Sequence, residues 1–266
     1  MTLDSIDPWA VNIAAGLIVA SVGVGASKLQ ERVSAYRRQG RPGRELWRFQ
    51  VDKDHPATLI LTNGSPDVSE MTETVYPAEV KAAIDIYTYL DDVYPKKDIL
   101  LFASGSTPPG VLSRDLIVLG GPVHNSQSAH LMGVGCEPLL DIPFRFEGYI
   151  LQQTFEGNVT ATWVPSESGG HFTSDYGLVV LARNPHSSIS HPSRLVLLAG
   201  CRTNGCLAAA RSLVRSDALS TSRLLRETMR HHGGNIAFVV KAVVSGGEVT
   251  RVDVIEESIT GLSHLR

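Results

Sequence analysis

The chain has 266 residues, 43% hydrophobic and 19% charged, an ordinary globular composition that excludes wholesale disorder and a polytopic membrane protein. A net charge of -3 gives no general attraction to nucleic acid, because such binding needs many Lys and Arg gathered on one face. Cys136, Cys201 and Cys206 are odd in number and lack a CxxC pair, so they make neither a disulfide framework nor a zinc-ligand pattern and suit a reducing compartment.

Residues 8–27 carry no charge and are dominated by Ala, Val, Ile, Leu and Gly, about the length that crosses a hydrocarbon core as a helix. The reading is a short extracytoplasmic leader over 1–7, a transmembrane helix over 8–29, a basic juxtamembrane linker over 30–52 and a soluble α/β domain over 53–266. Lys28, Arg32, Arg37, Arg38, Arg41 and Arg44 follow the span and Asp4 and Asp7 precede it. The positive-inside rule therefore predicts a single-pass protein of the cell membrane with its soluble domain in the cytoplasm. A cleavable signal peptide fits less well, because it needs a basic start. Gly23-Val24-Gly25 opens like a dinucleotide-binding turn, but Lys28 stands where its third Gly belongs and no second strand with an acidic ribose contact follows. Gly16 and Ala20 have the small-xxx-small spacing that lets membrane helices approach closely, which makes a homo-oligomer a further expectation; small residues are also common in such helices generally.

Beyond the linker, the apolar run 57–62 (ATLILT) predicts a buried strand, and the helical spacing of Val80, Ala83, Ile84, Ile86, Tyr87 and Leu90 predicts a helix over 77–90 with Pro77 at its start. Runs 98–103 and 115–120 predict two more strands, giving a β-α-β-β opening of the continuous apolar kind found in parallel sheets. About ten residues separate that last pair, short for a parallel crossover, so a helical turn over 109–112 has to serve. The middle predicts an antiparallel insertion, with strands 149–155 and 160–164 about Glu156-Gly157-Asn158. Strands over 176–182 and 195–198, helices over 206–214 and 218–231, and a hairpin of 236–243 with 249–255 complete a Rossmann-like, mostly parallel sheet with antiparallel hairpin insertions.

In open α/β sheets, ligands bind beyond the carboxyl ends of the strands. Four loops there combine Gly with Asn, Ser or Thr, and they nominate Asn63, Ser104, Gly120, Gly121, Asn125, Gly200, Arg202, Thr203, Asn204 and Gly205 as ligand-binding residues. The turn 200–205 carries most weight, since a Gly-rich passage from strand to helix aims backbone N–H groups and a positive helix end at one spot, where phosphate binds. Its G-x-x-x-x-G outline matches a P-loop start, but Cys206 and Leu207 replace the Lys and Ser/Thr that Mg-ATP hydrolysis needs. The competing explanation is that these glycines only make a tight connection, as Asn125 can simply cap a helix. His124, His130, Glu137, Glu147, His171 and Asp175 are available acid/base groups, without a spacing that marks a catalytic pair. Cys201 sits where a helix N-terminus could activate a thiol, though a small buried hydrophobe is its more ordinary role. His231-His232 ends a helix, where a cation is favourable without any metal, and no metal site or cofactor is identifiable.

The strings DLIVLGGPVHN (115–125), DYGLVV (175–180) with Asn184-Pro185, and LAGCRTNG (198–205) with Ala208-Ala209-Ala210 resemble a group of uncharacterised bacterial Rossmann-like domain proteins, some of them membrane-anchored. A looser similarity of fold, to TIR-like and nucleoside deoxyribosyltransferase-like domains, implies nucleotide binding and often a catalytic Glu. The expectation is a membrane-anchored cytoplasmic domain that binds a nucleotide or phosphometabolite as a sensor or effector. Its rivals are an enzyme cleaving the N-glycosidic bond of NAD or a nucleoside, and a non-enzymatic oligomeric membrane scaffold.

Overall fold

Residues 46–49, 56–62, 76–95, 97–214 and 223–262 are described by the computed structural model; the leader, the proposed membrane segment, most of the basic linker and Asn63 lie outside them. Strand β1 (Ala57–Leu61) is buried along its whole length, and helix α1 (Pro77–Val93) starts on Pro77, whose missing N–H costs nothing at a first helical position. Strands β2 (Ile99–Ala103) and β3 (Leu116–Leu119) both pair parallel with β1, one on each side. The short link between them thereby finds its explanation. It passes over β1 through two 3-10 turns, Ser104–Ser106 and Pro109–Val111, and needs no full crossover helix.

Helix α2 (Ser126–Met132) follows β3 and leads into a separate three-stranded antiparallel sheet of β4 (Phe144–Glu147), β5 (Ile150–Phe155) and β6 (Asn158–Trp163). Positive φ at Glu156 and Gly157 gives the β5–β6 turn the twist that hairpins favour. The short β7 (Ser166–Ser168) and the long β8 (His171–Arg183) return to the main sheet, followed by β9 (Arg194–Gly200), helix α3 (Thr203–Val214), helix α4 (Arg223–His231), and the closing hairpin β10 (Ile236–Ser245) and β11 (Glu248–Gly261).

The main sheet runs β2-β1-β3-β9-β8-β10-β11, with β7 against β8. The expectation of a mostly parallel sheet needs correction. Strands β2, β1, β3 and β9 are parallel, whereas β9–β8, β8–β10 and β10–β11 are antiparallel. The stretch 177–182 is buried without a break, and a continuous apolar run reports burial on both faces, whatever the direction of its neighbours.

One face of the sheet is covered by α1, α3 and α4, with Ile86, Leu90, Leu207, Leu213 and Leu225 packed on Leu59, Leu119, Val179, Leu198 and Phe238. The other is covered by α2 and the small sheet, where Leu131, Phe144, Leu151 and Trp163 meet Ile60, Val118, Val180 and Leu197. Trp47 is fully buried, with its ring 5.4 Å from Phe49, and the Phe49 amide donates to the Tyr94 hydroxyl at 3.2 Å. The packed unit therefore starts ahead of the expected boundary at 53, inside the stretch read as linker. At the end of the sheet where the parallel strands begin, Lys97 and Asp115 form a buried ion pair at 2.9 Å, and Asp115 also accepts the Arg194 amide. Among the described residues no helix is long and apolar enough to cross a membrane.

Candidate functional site

The chain leaves β1 toward β2 on one side and leaves β3 toward β9 on the other, which creates the switch point where open α/β sheets hold ligands. A cleft of about 280 Å³ lies there, lined by Tyr76 and Glu79 of the α1 start, Gly121 and His124 after β3, Gly200 to Asn204 between β9 and α3, Tyr149 from the β4–β5 turn and Phe172 of β8.

Glycines let the backbone under the cleft close up. A Cβ on Gly205 would run into the Tyr176 carbonyl oxygen, and one on Gly177 into the Gly205 carbonyl, so the first turn of α3 lies directly against β8. At Gly120 the φ is +124°, and a side chain there would occupy the place of the Thr62 hydroxyl.

The α3 start is partly neutralised from within. Asp175, 1% exposed, accepts the Gly205 amide on Oδ2 at 2.6 Å and the Tyr176 amide on Oδ1 at 2.8 Å. Burial pushes its carboxyl up to about 6, opposed by amide hydrogen bonds from Tyr176, Gly205 and Arg202 and by the Arg202 charge. Asp175 thus answers a share of the positive helix end, and Thr203 and Asn204 carry the remainder of that end into the cleft wall. Asp175→Asn turns one accepting oxygen into an NH2 group facing an amide but also removes a carboxyl whose raised value costs the fold stability as pH climbs from 3.8 to about 6, so in urea titration the variant should gain on the parent between pH 4 and pH 8. An identical difference at both pH values would show that folding leaves the Asp175 carboxyl at its ordinary value.

Arg202 is held differently. Its guanidinium carbon lies 4.4 Å from the Tyr149 ring centroid and 4.7 Å from that of Phe172, so two rings hold the cation at cation–π distance. Among the described residues no carboxylate forms a salt bridge with it. Its N–H fork has no side-chain hydrogen-bond partner among the described residues, and Arg202 lines the cleft.

Opposite stands Glu79, in the first turn of α1 and 3% exposed. Its Oε1 accepts the Thr62 hydroxyl at 2.9 Å, and its Oε2 has no hydrogen-bond partner. Burial pushes the carboxyl up to about 7, moderated by hydrogen bonds from the Thr62 hydroxyl and amide. His124 stands between the rings of Tyr76 and Tyr149, with Nε2 3.4 Å from the Tyr149 hydroxyl and Nδ1 buried without a partner.

Of the residues nominated from sequence, Gly121, Gly200, Arg202, Thr203 and Asn204 converge on the cleft, and Gly120 and Gly205 lie behind it. Asn125 is elsewhere employed. Its Oδ1 caps α2 by accepting the Gln127 and Ser128 amides, and its Nδ2 donates to the Leu119 carbonyl, so the helix-cap explanation accounts for it. Ser104 is buried at the end of β2, where its carbonyl accepts the Ser126 hydroxyl, and does not line the cleft. Asn63 lies outside the described residues. Cys201 borders the cleft, but burial and the Asp175 charge push its thiol up, the reverse of activation. Among the described residues no group of three or more His, Cys, Asp and Glu could hold a metal ion.

Sequence reasoning missed Glu79, Tyr76, Tyr149 and Phe172. An acid in the first turn of a helix is ordinary, and the aromatics reach the cleft only through the β8–β9 register and the fold of the small sheet. No protein-family model matches the chain, and no curated protein matches its sequence.

Proposed function

We propose that the cleft binds a small anionic metabolite, of the nucleotide or phosphometabolite class. The observation that carries this reading is the Arg202 guanidinium, within cation–π distance of both Tyr149 and Phe172 at the start of α3 with its hydrogen-bonding fork uncommitted. Guanidinium groups recognise phosphate and carboxylate in bidentate fashion, and preordering by two rings lowers the entropy lost on binding. The volume of about 280 Å³ suits a compact ligand at the small end of the range for metabolite pockets. The apolar segment 8–29 would tether the domain at the cytoplasmic side of a membrane, a placement that protease protection of sealed vesicles tests directly.

Mass spectrometry of small molecules released from the denatured full-length chain is expected to find a phosphorylated or carboxylated compound. Arg202→Ala should weaken its binding about 10- to 100-fold, as expected for loss of a charge-assisted pair, with the fold unchanged by circular dichroism. An Arg202→Ala protein that binds the released compound unimpaired would sink the assignment.

A second reading, cleavage of an N-glycosidic bond, is favoured by Glu79 alone. A buried carboxyl raised to about 7 beside a cleft is the kind of group that stabilises a developing cation or transfers a proton. Product analysis after long incubation with NAD and nucleosides distinguishes the two, since a binding domain returns them intact.

A further inference from the structure

Glu79 lines the same cleft as Arg202 from another element, and one of its carboxyl oxygens is buried without a partner, a separate observation about what the cleft accepts. We propose that Glu79 reads a hydroxyl group of the ligand, its Oε2 accepting that hydroxyl while Arg202 and the α3 start hold an anionic group of the same molecule. The site would then take a phosphorylated sugar or polyol in preference to a bare anion. This rests on the anion-binding reading of the cleft.

Three observations support it. Thr62 satisfies only Oε1, and a carboxylate oxygen buried without a donor is costly until something supplies one. Gly120 leaves room for the Thr62 hydroxyl, which fixes the carboxyl orientation so that its two oxygens have distinct tasks. The aromatic rings of Tyr76, Tyr149 and Phe172 line the same cleft, where faces of this kind pack against the apolar side of a sugar or a base.

Glu79 accepts most strongly when ionised, and burial holds its carboxyl near 7, so the hydroxyl contact should strengthen as pH rises through neutrality. The other titratable or charged groups around it are Tyr76 on α1, His124 after β3, Arg202 and Cys206 at the α3 start, and Asp175 beneath them on β8.

The test is calorimetric titration of the full-length chain with orthophosphate, glycerol 3-phosphate, ribose 5-phosphate and 5′-AMP between pH 6 and 8.5. At least one hydroxyl-bearing phosphate is expected to bind about tenfold or more tighter than orthophosphate at pH 8, an advantage that shrinks toward pH 6. Glu79→Gln keeps the Thr62 bond through its carbonyl and turns an NH2 toward the ligand. It should erase most of the advantage, read as the ratio of the two affinities so that any change in orthophosphate binding cancels.

If the hydroxyl-bearing ligands bind no better than orthophosphate, or bind Glu79→Gln undiminished, the Glu79 proposal is overturned while the anion-binding reading stands. If none of the four binds, both fall together. Should Glu79→Gln fail to fold, Glu79→Asp, which withdraws the carboxylate by one methylene, decides, and an undiminished advantage over orthophosphate overturns the proposal.

Discussion

Gly205→Ala is expected to destabilise the protein by about 4 kcal/mol, enough to leave it largely unfolded under conditions where the parent chain is folded. The new methyl group would overlap the Tyr176 carbonyl oxygen and crowd the Gly200 α-carbon at 3.1 Å. Both obstacles are backbone, so no side chain can swing aside to relieve them. Relief requires α3 to lift away from β8, and the Gly205 amide then leaves Asp175, stranding a carboxyl that is 1% exposed. Overpacking and a lost charged hydrogen bond thereby fall on the same residue. Urea unfolding followed by tryptophan fluorescence measures the effect. A change below about 1 kcal/mol would show that the α3–β8 contact yields more easily than the close approach implies.

Glu79→Gln is expected to stabilise the fold, by an amount that depends on pH. The folded carboxyl is raised from its ordinary value of 4.5 to about 7, chiefly by burial. Between those two values the folded protein holds a proton that the unfolded chain has released, so stability falls as pH climbs across that window and levels off above it. The accumulated loss is roughly 3 kcal/mol at pH 8, and Gln, which does not ionise, escapes it. Variant and parent should therefore be nearly equal near pH 4 and diverge steadily to pH 8, with Gln the more stable. Parallel unfolding curves at pH 4, 6 and 8 test this, and a constant difference across all three would mean that folding leaves the Glu79 carboxyl at its ordinary value.

Much of the fold was legible in the sequence because local chemistry dictated it. Pro77 placed the start of α1, Glu156-Gly157 and Gly246-Gly247 placed two hairpin turns, and the apolar runs marked β1, β2, β3 and β9. Strand direction was not legible at β8, where burial on both faces erased the alternation that distinguishes one neighbour from another. The short β4 and β7 carry too few residues to set a pattern. At the site, the turn 200–205 was visible because glycine and a helix start follow a strand, and its residues Gly200 to Asn204 do line the cleft. Glu79 was invisible: nothing in Pro77-Ala78-Glu79 shows that Thr62 will engage one carboxyl oxygen and leave the other bare.

The pairing of β3 with β9 joins residues far apart in the chain, Leu116 with Leu195 and Leu119 with Leu198, while the strands on either side of this seam pair with closer neighbours. Closing so long a loop is slow relative to forming local contacts, so the seam is expected to form late in folding. Glu79 and Gly121 lie on one side of it, and Arg202 and Phe172 on the other. The cleft therefore exists only once the two halves have met. A molecule bound in it acts as a clasp across the last part of the sheet to close, and slowed amide exchange in β3 and β9 would register its presence.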